Sequence, residues 1–125
     1  MNDRILSILI DHAKRSPKIF RVQMTAALGR RGELLRHTIS NNSLKTHPFQ
    51  RQYARHPDAI HLHAEVAAIA KAKHILDDLS DCELYVARVK NDNGVLVPGN
   101  ARPCRGCWEC IAAFNIKRVH YTGAY

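Results

Sequence analysis

No apolar stretch in this chain runs longer than five residues; Val66 to Ala70 and Cys110 to Phe114 are the longest. A membrane-spanning helix needs about 20, so no segment reads as one. The amino end, Asn2-Asp3-Arg4 ahead of Ile5-Leu6, lacks the apolar core and small-residue cleavage site of a signal peptide, and a cytoplasmic location is the expectation. Aromatic residues are scarce, at 6%. Acidic residues are nearly missing from the first half: residues 1–55 hold eleven lysines and arginines against Asp3, Asp11 and Glu33, whereas residues 56–125 hold eight of each sign. The net charge of +8 therefore lies in the first half. Such a field concentrates phosphate groups, of a nucleotide or of a polymer, or else merely solvates one face.

What is present is a globular balance. Apolar residues at 46% and charged ones at 24% exclude a disordered chain. Residues 1–125 suffice for one domain, able to hide roughly 65–70% of its unfolded surface. Asn2 or Asp3 caps a first helix with Ile5, Leu6, Leu9 and Ala13 on one face, ended by Ser16-Pro17. Alternation from Ile19 to Leu28, then Gly29-Arg30-Arg31-Gly32, then Leu34 to Ile39 reads as a hairpin. Residues 40–60 are polar and broken by Pro48 and Pro57, a long ordered loop of the kind that carries function. A helix follows over His63 to Leu76, with Lys71 and Lys73 largely outside its apolar side. Leu84 to Val89 is a strand, Asn91 to Gly94 a turn, and Val95 to Val97 a short extended piece. Pro103 stands before a helix over Cys104 to Phe114, and Lys117 to Tyr121 is a last strand. The order α-β-β-α-β-α-β implies a sheet with a parallel portion and helices packed on its faces.

Four cysteines stand at 82, 104, 107 and 110, three of them within seven residues. Without a secretory signal this favours a metal site over a disulfide. Two strings carry the chemistry: His63-Ala64-Glu65 opening one helix and Pro103-Cys104-Arg105-Gly106-Cys107 opening the next, with one strand between them. In successive strand–helix units the helix amino ends emerge on the same edge of a sheet, so residues 41 apart can meet. One imidazole and two thiolates give zinc three ligands and leave its fourth position to water, the composition of a catalytic site. Glu65 is placed to carry protons and is not a ligand. Residues two apart on a helix do not share a face, so His63 and Glu65 converge only over the helix end.

These two motifs and the element order resemble the zinc-dependent cytidine/deoxycytidylate deaminase superfamily, over roughly residues 1–122, in a minimal form like its phage and bacterial members. The resemblance implies a three-layer α/β/α cytidine deaminase-like fold around a central mixed sheet of about four strands. It implies zinc on His63, Cys104 and Cys107, Glu65 as general acid and base, and conversion of a cytosine base to uracil with release of ammonia. A substrate-binding asparagine is expected shortly after the second strand. Asn42 is the candidate and Asn41 its rival, the alternative being that the pair simply forms a turn. Residues 42–48 resemble the corresponding pocket loop, which adds His47, and Ala64 joins the pocket from between His63 and Glu65.

Other residues read more plainly. His47, His56 and His61 suggest a second zinc, without a cysteine to accompany them. Cys110 has no fourth neighbour for an iron–sulfur cluster and reads as a core thiol, and Trp108 as structural. Arg102 and Arg105 flank the thiolates, as phosphate ligands or as exposed charges. The substrate is expected to be free cytidine or dCMP. Only Phe20, Phe49 and Tyr53 offer stacking platforms among the basic residues that a single-stranded DNA or RNA partner would need. Action on cytosine or adenine in such a polymer, and a silent module in which zinc only staples two helices, are the other readings. The sequence ends at Tyr125 where most relatives continue, which leaves a sheet edge expected to favour a homo-oligomer.

Overall fold

The structure, a computed structural model, describes residues 3–15, 23–42 and 63–123. Helix α1 covers Asp3–Arg15. Ile5, Leu9 and Ala13, four apart, are its buried face. His12, Lys14 and Arg15 occupy its last turn, where the helix dipole favours cations. In that turn the Ala13 carbonyl accepts from Gln23 Nε2 at 3.0 Å. The predicted stop at Ser16-Pro17 lies outside the described residues.

Strand β1 spans Gln23–Arg30, so Gly29 and Arg30, expected in the turn, extend the strand. The turn is Arg31-Gly32 alone, with φ of 55° and 80°. Two consecutive left-handed residues match the twist of a two-residue hairpin, and Arg30 pairs with Glu33 across it. The second strand differs from expectation. In place of one run over residues 34–39 there are β2 (Glu33–Leu34), a 3-10 turn (Arg36–Thr38) and β3 (Ser40–Asn41). Residues 43–62, which hold most of the predicted loop, lie outside the described residues.

After them come α2 (Ala64–Lys73), β4 (Cys82–Asp92), β5 (Val95–Gly99), α3 (Arg105–Ala113) and β6 (Arg118–Tyr121). Among the described residues the sheet has six strands where about four were expected. β1 and β4 pair antiparallel along the whole of β1. On the free side of β1 stand β2 and β3, two pieces of one broken strand. On the free side of β4, residues 83–86 pair parallel with β6 and residues 88–92 antiparallel with β5. Six strands thus fill four ranks, because each outer rank is shared by two short pieces, and β4–β6 is the parallel portion. No helix among the described residues is long and apolar enough to cross a membrane.

The pleat divides the core. Ala27, Tyr85 and Ala87 face α1, while Ala26, Leu28, Leu84 and Val86 face α2 and α3, giving the expected α/β/α layering. Helix α2 was expected to be apolar on one side, yet from Ala64 to Ala72 only Lys71 is exposed. Five alanines make it thin enough to be packed on several sides at once, and it ends at Lys73, three residues early. On the α1 face His120 stacks on Tyr85 with ring centroids 4.6 Å apart and sets Nε2 2.8 Å from Glu83 Oε1. That contact holds the Glu83 carboxyl below its usual range.

Thr38 repairs the break beside β1. Its hydroxyl accepts from Leu28 N–H at 2.9 Å and donates to Leu35 C=O at 2.6 Å, while Leu28 C=O accepts from Leu35 N–H. A buried hydroxyl thus replaces the missing strand partner. Thr38→Val keeps the shape and strands these groups, and should cost about 1–3 kcal/mol in urea unfolding, most of it recovered in Thr38→Ser.

Candidate metal centre and its carboxylate

His63 and Cys104 stand at corresponding places. Each is the N-cap of its helix, α2 or α3, with extended backbone (φ −77°, ψ 152° and φ −70°, ψ 169°), and neither makes a side-chain hydrogen bond to its own helix end. A position normally given to a serine or aspartate that bonds its own helix here holds a ligand-type group turned elsewhere. Both turn to one point. His63 Nδ1 lies 3.3 Å from Cys107 Sγ and 3.6 Å from Cys104 Sγ, and the two sulfurs are 3.3 Å apart. Among the described residues this is the one group of three or more metal-ligating side chains within reach of a common ion.

The donor set fits zinc. An ion with tetrahedral bonds of about 2.0–2.3 Å spaces its ligand atoms about 3.6–3.8 Å apart, close to the separations found. One nitrogen and two sulfurs leave a fourth position for a small molecule. Both helix amino ends direct their positive dipole ends at the cluster, which favours thiolates.

The charges are divided unevenly. The contact with Cys107 pushes the pKa of Cys104 down to about 4. Buried Cys107 moves the opposite way, through that contact and through burial. His63 is raised, first by its bond with Cys104. Cys110, one turn further into α3, is buried in the core as expected and pushed up to about 12 by burial.

Glu65 is 2% exposed, and its Oε1 has no hydrogen-bond partner among the described residues. Desolvation raises its pKa, and it interacts electrostatically with His63, Cys104 and Cys107. The helical geometry that seemed to separate His63 from Glu65 does not apply, because His63 stands just outside the helix with extended backbone. Ala64 between them is fully buried.

The strand register separates the two asparagines. Asn41 pairs with Thr25 of β1, on the α1 side, and its Oδ1 accepts from the Thr25 hydroxyl. Asn42 stands opposite Met24, whose side chain packs in the core shared by α2 and α3. Its N–H donates to Met24 C=O, and its Oδ1 accepts from Met24 N–H at 3.2 Å. Trp108 is half-buried against the same core, and Arg102 and Arg105 are exposed. His47, His56 and His61, with the second zinc considered for them, lie outside the described residues. Sequence reasoning passed over Thr122, buried beside the loop that leads to Cys104. Its only signal is a Thr-Gly pair after the last strand.

The sequence matches the family described as the cytidine and deoxycytidylate deaminase zinc-binding region over residues 2–123. Among curated proteins no match is found. Two solved structures share the fold. The dCMP deaminase from the cyanophage S-TIM5 has a TM-score of 0.60 and 19% identity, covering 97% of this chain and 84% of that one. The guanine deaminase from Bacillus subtilis has a TM-score of 0.56 and 20% identity, covering 97% of this chain and 64% of that one.

Two outcomes follow for the cluster. Metal analysis should find about one zinc per molecule, lost in Cys107→Ser and kept in Cys110→Ala. Burial lifts the folded-state pKa of Glu65 above its usual 4.5, so the folded metal-free protein holds a proton that the unfolded protein has released. Stability in chelator should therefore fall as pH rises from about 4.5 through the folded pKa. Glu65→Gln should remove that part of the slope and raise the urea midpoint at pH 7.

Proposed function

Since the protein belongs to the cytidine and deoxycytidylate deaminase family, we propose that it is a zinc-dependent hydrolase that converts the cytosine of a free nucleoside or nucleotide to uracil. The observation that carries this reading is Glu65: a buried carboxyl with an oxygen unpartnered among the described residues, beside three ligand-type side chains. A zinc that only stapled α2 to α3 would need no such group.

His63, Cys104 and Cys107 would hold the metal. When bound, zinc supplies the Lewis acidity that brings the pKa of a water from about 16 toward about 7. Glu65 then does the proton work at Oε1. It accepts a proton from the water that adds to C4 of the base, and returns one to the exocyclic nitrogen as the C4–N bond breaks and ammonia leaves. Its burial bears on both duties, since desolvation raises its pKa above that of an exposed carboxylate. Ala64 keeps this wall of the site dry. Asn42, on the side of the sheet that carries α2 and α3, would hold the sugar or the base edge. The basic first half would attract a nucleotide phosphate, and the few aromatic residues there favour a free nucleotide over a polymer.

Product mass spectrometry on zinc-loaded protein given dCMP, cytidine, adenosine and a mixed single-stranded oligonucleotide tests this. Amino-to-keto conversion of dCMP or cytidine is expected, reduced about 10²–10⁴-fold in Glu65→Ala. Conversion confined to the oligonucleotide would move the assignment to a nucleic-acid deaminase. A folded, zinc-bound protein that converts none of the four would overturn it.

A further inference from the structure

Cys104 is held from two sides. Its carbonyl accepts from Trp108 N–H at 2.9 Å, the first bond of α3, while its exposed side chain follows residues 100–103, which belong to no helix or strand, so the aim of its sulfur also depends on how that loop is held. The hold comes from 18 residues further along the sequence, at Thr122, which is 6% exposed. The Thr122 hydroxyl donates to Gly99 C=O at 2.6 Å and accepts from Arg88 N–H at 3.1 Å. Its backbone carbonyl accepts from Ala101 N–H at 2.9 Å, and its N–H donates to Val86 C=O at 3.1 Å. One residue thereby joins the centre of β4, the last residue of β5 and the loop three residues ahead of Cys104.

Neighbouring contacts tighten the same clasp. Arg88 Nη1 donates to Asn100 C=O at 3.3 Å, and Asn100 Oδ1 accepts from Arg102 N–H at 2.9 Å. Gly123 has φ of 77°, and a Cβ there would stand 2.6 Å from Asn100 Cα. The backbone after β6 therefore lies directly against the backbone before Cys104. Cys107 needs no such help, because α3 buries it in the core.

We propose that Thr122 is a positioning residue for the metal centre: through Gly99 and Ala101 it sets the loop that aims Cys104 Sγ at His63 and Cys107. The inference rests on the zinc reading above. Loss of the clasp loosens one ligand of three and leaves Cys107 in the core and His63 at the start of α2. Groups hydrogen-bonded directly to a ligand typically affect metal affinity about 10–100-fold; Thr122 acts through the backbone leading to Cys104, so the low end of that range is expected.

The test is zinc affinity of the full-length protein, by competition with a chromophoric chelator, together with the thiolate-to-metal absorption of the cobalt-loaded protein. Thr122→Val keeps the volume and strands Gly99 C=O and Arg88 N–H. It should bind zinc about 10-fold more weakly and change the cobalt spectrum. Thr122→Ser restores the hydroxyl and should stay within about threefold of the parent. Thr38→Val destabilises the same sheet at its other edge and should leave zinc affinity unchanged. The positioning role is overturned if Thr122→Val binds zinc as the parent does, or if Thr38→Val weakens binding as much. A parent protein that takes up no zinc removes the zinc reading itself, and this inference with it.

Discussion

A carboxyl group shut away from water, with one oxygen unpartnered among the described residues, is the constraint around which this molecule is arranged. Leaving such a group buried costs about 1–3 kcal/mol, and more when it is charged. The fold places Glu65 in the first turn of α2, where the positive end of the helix dipole partly offsets that cost. The helix that carries it is built of alanines, so neighbours approach closely and water is excluded. His63 comes to the same place through an extended N-cap residue, and Cys104 through another. The same device, used at two helices, lets residues 41 apart in sequence converge at 3.6 Å.

Much of this was legible because it depends on short-range rules. His63-Ala64-Glu65 and Cys104 to Cys107 announce themselves by residue type and spacing, and Ile5, Leu9 and Ala13 by period. The breaks in the outer ranks of the sheet were not legible. Leu34 to Ile39 has the composition of a strand, and only a tertiary hydrogen bond from Leu28 to Thr38 turns its middle into a 3-10 turn. The burial of α2 on several sides was hidden too, because alanine is equally at home on an open face and a closed one. Asn41 and Asn42 are indistinguishable by type; a register of pairing with β1 puts them on opposite sides of the sheet.

The sheet keeps two environments apart by the pleat alone. Along β4, Leu84 and Val86 belong to the metal side, and Tyr85 and Ala87 to the α1 side. The α1 side holds its own polar pair, Glu83 with His120, stacked on Tyr85 and joining β6 to β4 beyond the ladder bonds. Because successive residues alternate, a one-residue slip of β4 would put Tyr85 where Leu84 stands and disorganise both faces together. Eight register pairs with β1 and four with β6 hold that alignment.

The interrupted rank beside β1 also bears on how the molecule meets its own copies. A straight outer strand offers a continuous row of amide groups to any passing polypeptide, the usual route to edge-to-edge aggregation. Here β2 and β3 are two residues each, separated by a tight turn, and the Leu28 amide of β1 that the break leaves uncovered is taken by the Thr38 hydroxyl. The break that looks like a defect of the sheet therefore works as a guard on its margin. A protein whose outer row ran unbroken from Glu33 to Asn41 would gain pairing at the cost of solubility.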